Sequence, residues 1–527
     1  MRKLHQALSE RWVDYTVWTV ALWASFLNLL NFNHFPLLRE EVGITLLGLA
    51  LLGTVLGVSQ HAARPRLAFA VTALFLAVMI DVNASIERVW FYAIWAGLAV
   101  VAYFALDALL KITLAAFMAV LLFQLAGSAI GVGGSAGDRN MAEDLQAPDG
   151  RDADRPAIVH VVLDAHLGLD GMALGPDAYR TLRTDLVAFF TDHGFQYYPG
   201  AYSRHSRTAD SLPFAFSYGV DPPALEWLST RHAVPGKLPY FTELGRRGYR
   251  ISASAPVYLD MCANQKLTDC LKWEPSELSS MLVTDLDSLD RAKIFAFTLL
   301  QLAEIPSQVV EGIRLIEHEL FGTVRRTTAD RSQLYSLASL GQLDRFIGGL
   351  SDLHDGEVRY LHILLPHSPF ALNADCSVKP EAAWLNSHGG ASEAAREKAY
   401  VDQVRCLQRR LGRMLDVLNR TPAGRKSIVL IHGDHGSRIA PSHPFWDRAA
   451  LSPRQMLMMH STLFAIRVPG ETAVKVSGTY ALDELMADFR ARDFVSAPRP
   501  KSVPARVLIS AVSKPGREWR PLPDFSP

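Results

Sequence analysis

"KSIVLIHGDHGSR", residues 426–438, begins as a β-branched apolar run and ends in a carboxylate and an imidazole set between two glycines. An apolar run of this length, followed by turn-forming residues, reads as a strand buried on both faces, the kind found in parallel sheets. Asp434 and His435 stand where that strand runs out, fenced by Gly433 and Gly436. Two readings are open for the pair: ligands of a metal, or a capped turn. Similar runs recur outward along the chain at "AIVHVVLDAH" (157–166), "YRISASA" (249–255), "VRYLHILL" (358–365), "STLFAIRV" (461–468) and "ARVLISAV" (505–512). Helical patterns lie between them, at 177–193, 290–320 and 392–418. Strands alternating with helices predict an α/β/α sandwich around a mostly parallel or mixed sheet, with ligands gathered beyond the strand C-termini.

At 527 residues the chain exceeds one ordinary core, so at least two domains are expected. Lys plus Arg and Asp plus Glu balance at 53 each, which gives no reason to expect a nucleic-acid partner. Apolar residues concentrate before residue 135. Uncharged stretches at 15–38, 42–60, 89–106 and 112–137 are long enough to cross a bilayer, which takes about 20 apolar residues. A fifth, 67–80, reaches that length only by drawing in Val82, Ala84 and Ile86 beyond Asp81. The expectation is an α-helical membrane anchor of about five spans over 1–137, a linker over 138–156 and a catalytic domain over 157–527. Arg2, Lys3, Arg11, Arg64, Arg66 and Lys111 fall on alternate loops and put the N-terminus in the cytoplasm. With five spans the protein is multi-pass in the cytoplasmic membrane, and the domain after residue 138 lies on the periplasmic or extracellular side. Asn28, Asn31, Asn33 and His34 then fall towards the outer end of the first span, to meet a lipid head group or cap the helix. All four cysteines lie in the exported part, and the favoured pairing is Cys262–Cys270 and Cys376–Cys406.

Polar residues at the strand ends carry the chemistry. Asp164 ends the first strand, His362 lies within the 358–365 strand and His367 just past it. His443 follows Asp434 and His435 in "PSHPFWDR", and His460 precedes the strand in "MMHSTLFAI". Imidazoles and carboxylates without cysteine suit a divalent zinc or manganese in a reactive site rather than a structural zinc. Singly, the aspartates also read as caps and His362 as a hydrogen-bonded core histidine. "YSRHSRTADSLPFAFSYG", residues 202–219, places Thr208 ahead of a helix-like segment. A threonine there is by default an N-cap. The same geometry holds its hydroxyl at a helix N-terminus that favours anions, where metal coordination activates it as a nucleophile. Arg204, His205 and Arg207 add positive charge, consistent with phosphate or simply with an exposed basic turn.

"IVHVVLDAH", "RTADSLP", "LPHSP" and "IHGDHG", in this order over about 157–470, resemble the alkaline phosphatase/sulfatase superfamily. Within it, the chain is similar to the membrane-anchored transferases: lipid A phosphoethanolamine transferases and lipoteichoic acid synthases. The resemblance implies a divalent metal, zinc or manganese, held by Asp164, Thr208, Asp434 and His435, with Thr208 as the nucleophile. Asp164 stands where the transferases commonly have glutamate. His362, His367, His443 and His460 match residues that bind the substrate head group or a second metal. The implied activity moves phosphoethanolamine or phosphoglycerol from a phospholipid donor, through a phospho-threonine, to a glycan or lipid acceptor. Sulfatase chemistry meets an obstacle, because Ser211-Leu212-Pro213-Phe214-Ala215 lacks the arginine of the formylglycine motif. Two rivals are a membrane-anchored phosphodiesterase or phosphatase on the same fold, and a non-catalytic binding or assembly factor, which predicts a broken metal set.

Overall fold

The computed structural model describes residues 12–32, 35–62, 88–130, 155–220, 225–273, 334–439, 451–510 and 517–524, with short breaks in several of these, and single positions at 72–73, 76–77 and within 288–295. The chain divides into two compact units, 1–140 with 286–331, and 141–285 with 332–527.

The first unit contains α1 (Trp12–Phe32), α2 (Glu40–Ala62) and α3 (Arg88–Ile130). Among the described residues, two helical stretches are long and apolar enough to cross a membrane, Glu40–Val58 and Ala108–Leu125. The expectation of about five spans is corrected accordingly. The 89–106 stretch and the 112–137 stretch as far as Ile130, its last described residue, join into one helix, kinked at Ala105, where the backbone leaves helical geometry (φ −145°, ψ 45°). The apolar run ahead of the kink, Ala93–Ala105, is shorter than a span. In α1 the apolar run is interrupted by amides that satisfy one another across the helix pair. Gln124 Nε2 donates to Asn28 Oδ1 at 2.8 Å, and Asn31 Nδ2 to Gln124 Oε1 at 2.5 Å. Asn28 and Asn31 are thus occupied in gluing α1 to α3. Asn33, His34 and ten of the fourteen residues of the expected 67–80 span lie outside the described residues. Residues 286–331, which the sequence places in the 157–527 domain, belong to this first unit. Arg291 pairs with the buried Glu41 at 3.3 Å, Ser288 donates to Glu40 at 2.9 Å, and Phe295 packs edge-on against Phe35.

The second unit is built on an eight-stranded sheet. Its strands in chain order are β1 (Ile158–Leu163), β2 (Gln196–Tyr197), β6 (Arg250–Pro256), β7 (Asp269–Trp273), β8 (Glu357–Ile363), β9 (Ile428–Gly433), β10 (Phe464–Arg467) and β11 (Val474–Lys475). Three short strands, β3 (Gly200–Tyr202), β4 (Glu226–Ser229) and β5 (His232–Val234), pair outside it. Spatial order is β11-β2-β10-β9-β1-β8-β6-β7. From β9 through β7 the strands run parallel, while β10 is antiparallel to β9. Every residue of β1, β8 and β9 is buried, as expected of strands covered on both faces, and in β8 this includes Glu357 and Arg359, which pair with each other at 2.9 Å. One covering layer brings Leu212 and Phe216, Phe241 and Leu244, and Leu485 and Phe489 onto Ile158, Val162, Tyr360 and Leu430. The other is formed by α4 (Asp177–Asp192), α6 (Tyr335–Gly349) and α7 (Glu393–Arg420), packed on one another. The "ARVLISAV" run supplies Arg506–Ser510, which pairs with Arg517–Pro521 in a separate ribbon.

Both expected disulfides are present, Cys262–Cys270 and Cys376–Cys406. The first closes the loop between β6 and β7, and the second ties a surface loop to α7. On the chain-entropy scaling, loops of these lengths contribute about 2–4 kcal/mol each.

Candidate active site

The parallel register decides where the acids stand. Across β8, β1 and β9 the residues on one face form rows: Val358, Ile158, Ile428; then Tyr360, His160, Leu430; then His362, Val162, His432. One alternation further, at the C-terminal edge, β1 and β9 run out into Asp164 and Asp434. The rows grade from apolar through imidazole to carboxylate, so the two acids emerge side by side above a hydrophobic floor.

Thr208 reaches them from the covering layer. It opens α5 (Thr208–Phe216) as the first helical residue, and the N-cap position is Arg207, which makes no side-chain cap. Sequence reasoning assigns the hydroxyl a default capping role; the structure turns it towards Asp164 Oδ2 at 3.4 Å and His435 Nε2 at 3.5 Å. Leu212 and Phe216, four residues apart, press α5 onto the sheet, and each fully buried side chain contributes about 1.5–3 kcal/mol. Ser211 Oγ then donates to the Asp434 carbonyl at 2.6 Å and pairs with Ser203 Oγ at 2.7 Å. The serine of "Thr-Ala-Asp-Ser" therefore pins the helix that begins at Thr208 to the end of the strand that leads into Asp434.

The acids are arranged as acceptors. Asp434 Oδ1 takes the Ala165 N–H at 2.9 Å and the His435 N–H at 2.8 Å, which leaves Oδ2 buried with no hydrogen-bond partner. Ala165 is held at φ 62°, a left-handed conformation costly for a residue with a Cβ. Its amide bond to Asp434 and the Tyr400 hydroxyl bond to its carbonyl (3.1 Å) stabilise the strained turn. His435 donates from Nδ1 to the Gly436 carbonyl at 2.8 Å, so Nε2 presents a lone pair. That lone pair faces Asp434 Oδ2 at 3.3 Å and Asp164 Oδ1 at 3.4 Å, and the latter oxygen is also buried without a hydrogen-bond partner. Burial, and then the Asp434 carboxylate, hold the Asp164 carboxyl well above its usual range, while Arg438 and Thr208 pull it down. Burial and the nearby Arg438 keep His435 well below the imidazole range, and hence neutral. Three converging acceptor atoms, two of them on carboxyls whose like charges raise the Asp164 pKa, are relieved by a cation set between them. Tetrahedral ligands at roughly 2.0–2.1 Å lie about 3.3–3.4 Å apart. His435 stands at that spacing from Asp434, Asp164 and Thr208, and Thr208 from Asp164, while the ligand atoms of Asp164, Asp434 and His435 all lie within 4.8 Å of one another, so these residues fit a divalent ion.

The two glycines are required by packing. A Cβ on Gly436 would lie 2.2 Å from the Met458 carbonyl oxygen and 2.6 Å from that of Ser461. One on Gly433 would meet Thr462 Oγ1 at 2.4 Å and the His166 carbonyl at 2.8 Å. Only glycine lets the Asp434–His435 turn tuck beneath the 458–462 segment. Gly436→Ala is expected to cost about 1–3 kcal/mol through overpacking, read as a fall of several degrees in Tm. An unchanged Tm would refute this account of the turn.

The remaining histidines divide. His460 is buried, with Nδ1 on the Ser203 carbonyl at 2.9 Å and Nε2 without a hydrogen-bond partner, close enough to His435 to influence its charge. His367 is half-buried at the site's edge and bonds the Ser368 carbonyl through Nδ1. His362 is fully buried one row below the acids, with neither ring nitrogen hydrogen-bonded, and burial pushes its pKa down to about 4. His443 lies outside the described residues. Of the basic turn, Arg204 is spent on Asp483 (3.0 Å) and Glu484, and Arg207 lies 4.0 Å from Asp210 and over the Trp227 ring. Sequence reasoning gives no role to Arg438, although it closes the decisive stretch; its guanidinium donates to His435 Nε2 at 2.7 Å. The signal available was its position, three residues beyond the histidine it touches.

No protein-family model matches the chain, and no curated protein matches it either. Solved structures do show likeness. A phosphonate monoester hydrolase of Agrobacterium radiobacter is 11% identical, over 67% of this chain and 80% of that one, with a TM-score of 0.42. The C-terminal periplasmic domain of EcEptC from Escherichia coli, in complex with Zn, is 12% identical over 68% and 90%, with a TM-score of 0.39. A 2-O GAG sulfatase is 12% identical over 67% and 77%, with a TM-score of 0.38. None of these values shows a family or an activity for this chain, and the function proposed below rests on its own side chains.

Proposed function

We propose that the chain is a metal-dependent transferase that moves a phospholipid head group, phosphoethanolamine or phosphoglycerol, to a glycan or lipid acceptor outside the cytoplasmic membrane. One observation carries the reading: a buried threonine hydroxyl, free of capping duty, sits 3.4–3.5 Å from a carboxylate and an imidazole that converge with a second carboxylate. Asp164, Asp434 and His435 hold the ion, zinc or manganese by the chemistry of the donors, and Thr208 supplies the fourth ligand. When bound, the ion lowers the pKa of the threonine hydroxyl and stabilises charge on the phosphoryl oxygens. Thr208 Oγ1 bonds to phosphorus as the bond to the glyceride oxygen breaks, and the hydroxyl proton leaves with diacylglycerol. An acceptor hydroxyl then displaces Thr208 and returns a proton to Oγ1. His367 and His460, at the edge of the cluster, are placed to orient the head group. Two helices able to cross a membrane and a cysteine set fully paired as disulfides favour an anchored, exported enzyme.

The test is to incubate the full-length protein with phosphatidylethanolamine or phosphatidylglycerol, with metal and with chelator, and to measure diacylglycerol. Metal-dependent release from one lipid is expected. Head-group transfer to an added glycan distinguishes the transferase from its hydrolytic rival, which gives the free phosphorylated head group instead. No release from either lipid, with metal bound, defeats the reading.

A further inference from the structure

We propose that Arg438 grips the anionic oxygens of the substrate at this site, an assignment that rests on the phosphoryl-transfer reading above. Three arginines lie near Thr208 in sequence or in space, and two are already committed. Arg204 is mostly buried against Asp483 and Glu484, and Arg207 is drawn towards Asp210 and Trp227. Arg438 differs: among the described residues it has no carboxylate oxygen within 4.0 Å. One of its terminal nitrogens serves both His435 Nε2, at 2.7 Å, and the Ser206 carbonyl, at 3.1 Å, while its Nε is buried without a hydrogen-bond partner. A guanidinium carries five N–H donors and a permanent positive charge, so most of its capacity is left over.

The partner it does hold explains when that capacity is released. His435 Nε2 has one lone pair, and the cluster's geometry commits that lone pair to a cation. Arg438 and a metal ion cannot both use it, and their like charges add to the exclusion. With a cation in place the guanidinium gives up Nε2 and keeps its tether on Ser206, two residues from the nucleophile. It then stands at the rim beside His367 and Ser437, which line the same small pocket. A planar fork of donors there matches two non-bridging phosphoryl oxygens. The competing role is compensation of the Asp164 and Asp434 charges alone, which a bound cation would make redundant.

The full-length protein separates these roles when loaded with zinc and titrated with inorganic phosphate by calorimetry, with metal content measured by mass spectrometry. Arg438→Gln is expected to keep the wild-type metal content and to lose about 10–100-fold in phosphate affinity, the range of a hydrogen bond to a charged group. Arg438→Lys, which restores the charge without the fork, is expected to recover part of that loss. Equal phosphate affinity in Arg438→Gln, loss of metal in the same variant, or a wild type that binds no phosphate would each overturn the assignment. Phosphate binding that depends on Arg438, in a protein that never modifies Thr208, defeats the transfer reading and leaves the anion grip intact. A phospho-threonine together with unchanged phosphate affinity in Arg438→Gln does the reverse.

Discussion

Thr208→Ala is expected to abolish the covalent intermediate and to lower lipid turnover by about 10⁴-fold or more, the scale on which loss of a nucleophile acts. Wild-type protein incubated with phospholipid and Zn²⁺ or Mn²⁺, without acceptor, should gain the mass of one head-group phosphate, and the increment names the head group. The alanine variant should gain nothing. The substitution is unusually clean for a buried residue. The hydroxyl makes no helix cap, so its removal leaves the N-terminus of α5 as it was. Leu212, Phe216 and the Ser211 bond to the Asp434 carbonyl, which position the helix, are untouched. Thr208→Ser keeps an oxygen in reach of Asp164 and His435 and should retain measurable adduct. An alanine variant that turns over lipid at the wild-type rate would remove Thr208 from the chemistry, whatever its place in the cluster.

Much of this arrangement was legible before any coordinates. The β1 and β9 runs are unbroken because both faces are covered, and such strands advertise themselves in sequence. A parallel pair then brings the residue after each strand to the same sheet edge, so Asp164 and Asp434 were readable as neighbours. Cysteine parity and an expected exported placement pointed to two disulfides, with three pairings possible, and the favoured one is present. What sequence could not give was direction within a side chain. Thr208 as a cap and Thr208 as a nucleophile differ by which way one hydroxyl turns. Arg204 and Arg438 look alike as letters, yet Asp483 and Glu484, nearly 280 residues on, neutralise the former. The anchor was misjudged for a related reason: apolar length was counted, whereas Asn28, Asn31 and Gln124 form an inter-helix network and Ala105 kinks what had been two segments. Residues 286–331 were not legible as part of the first unit, because the ties of their described residues, Arg291 to Glu41, Ser288 to Glu40 and Phe295 to Phe35, all reach across about 250 positions.

Asp434→Asn is expected to remove metal binding while leaving the fold in place, with affinity falling by more than about 100-fold, the upper range for loss of even an outer-shell partner. Asparagine is chosen because the two oxygens of Asp434 do different work. Oδ1 receives the Ala165 and His435 amides and so holds the strained turn, and an amide oxygen can accept both bonds equally well. Oδ2 is the atom aimed at His435 Nε2 from 3.3 Å. Replacing it with an NH₂ puts a donor against that lone pair and leaves Asp164 as the cluster's one carboxylate for a cation. The like-charge contact that, after burial, raises the Asp164 carboxyl disappears as well, so the metal-free variant should unfold at or above the wild-type temperature. The signature is in the difference. Wild-type protein at a metal concentration 100 times Kd should gain about 2.7 kcal/mol of stability, and Asp434→Asn should gain almost none. Asp434→Ala would not serve, since it also strands the two amides. A variant that retained both the stoichiometric metal and the metal-dependent rise in Tm would show that the converging acceptors are not the binding centre, and Thr208 would lose the means of its activation.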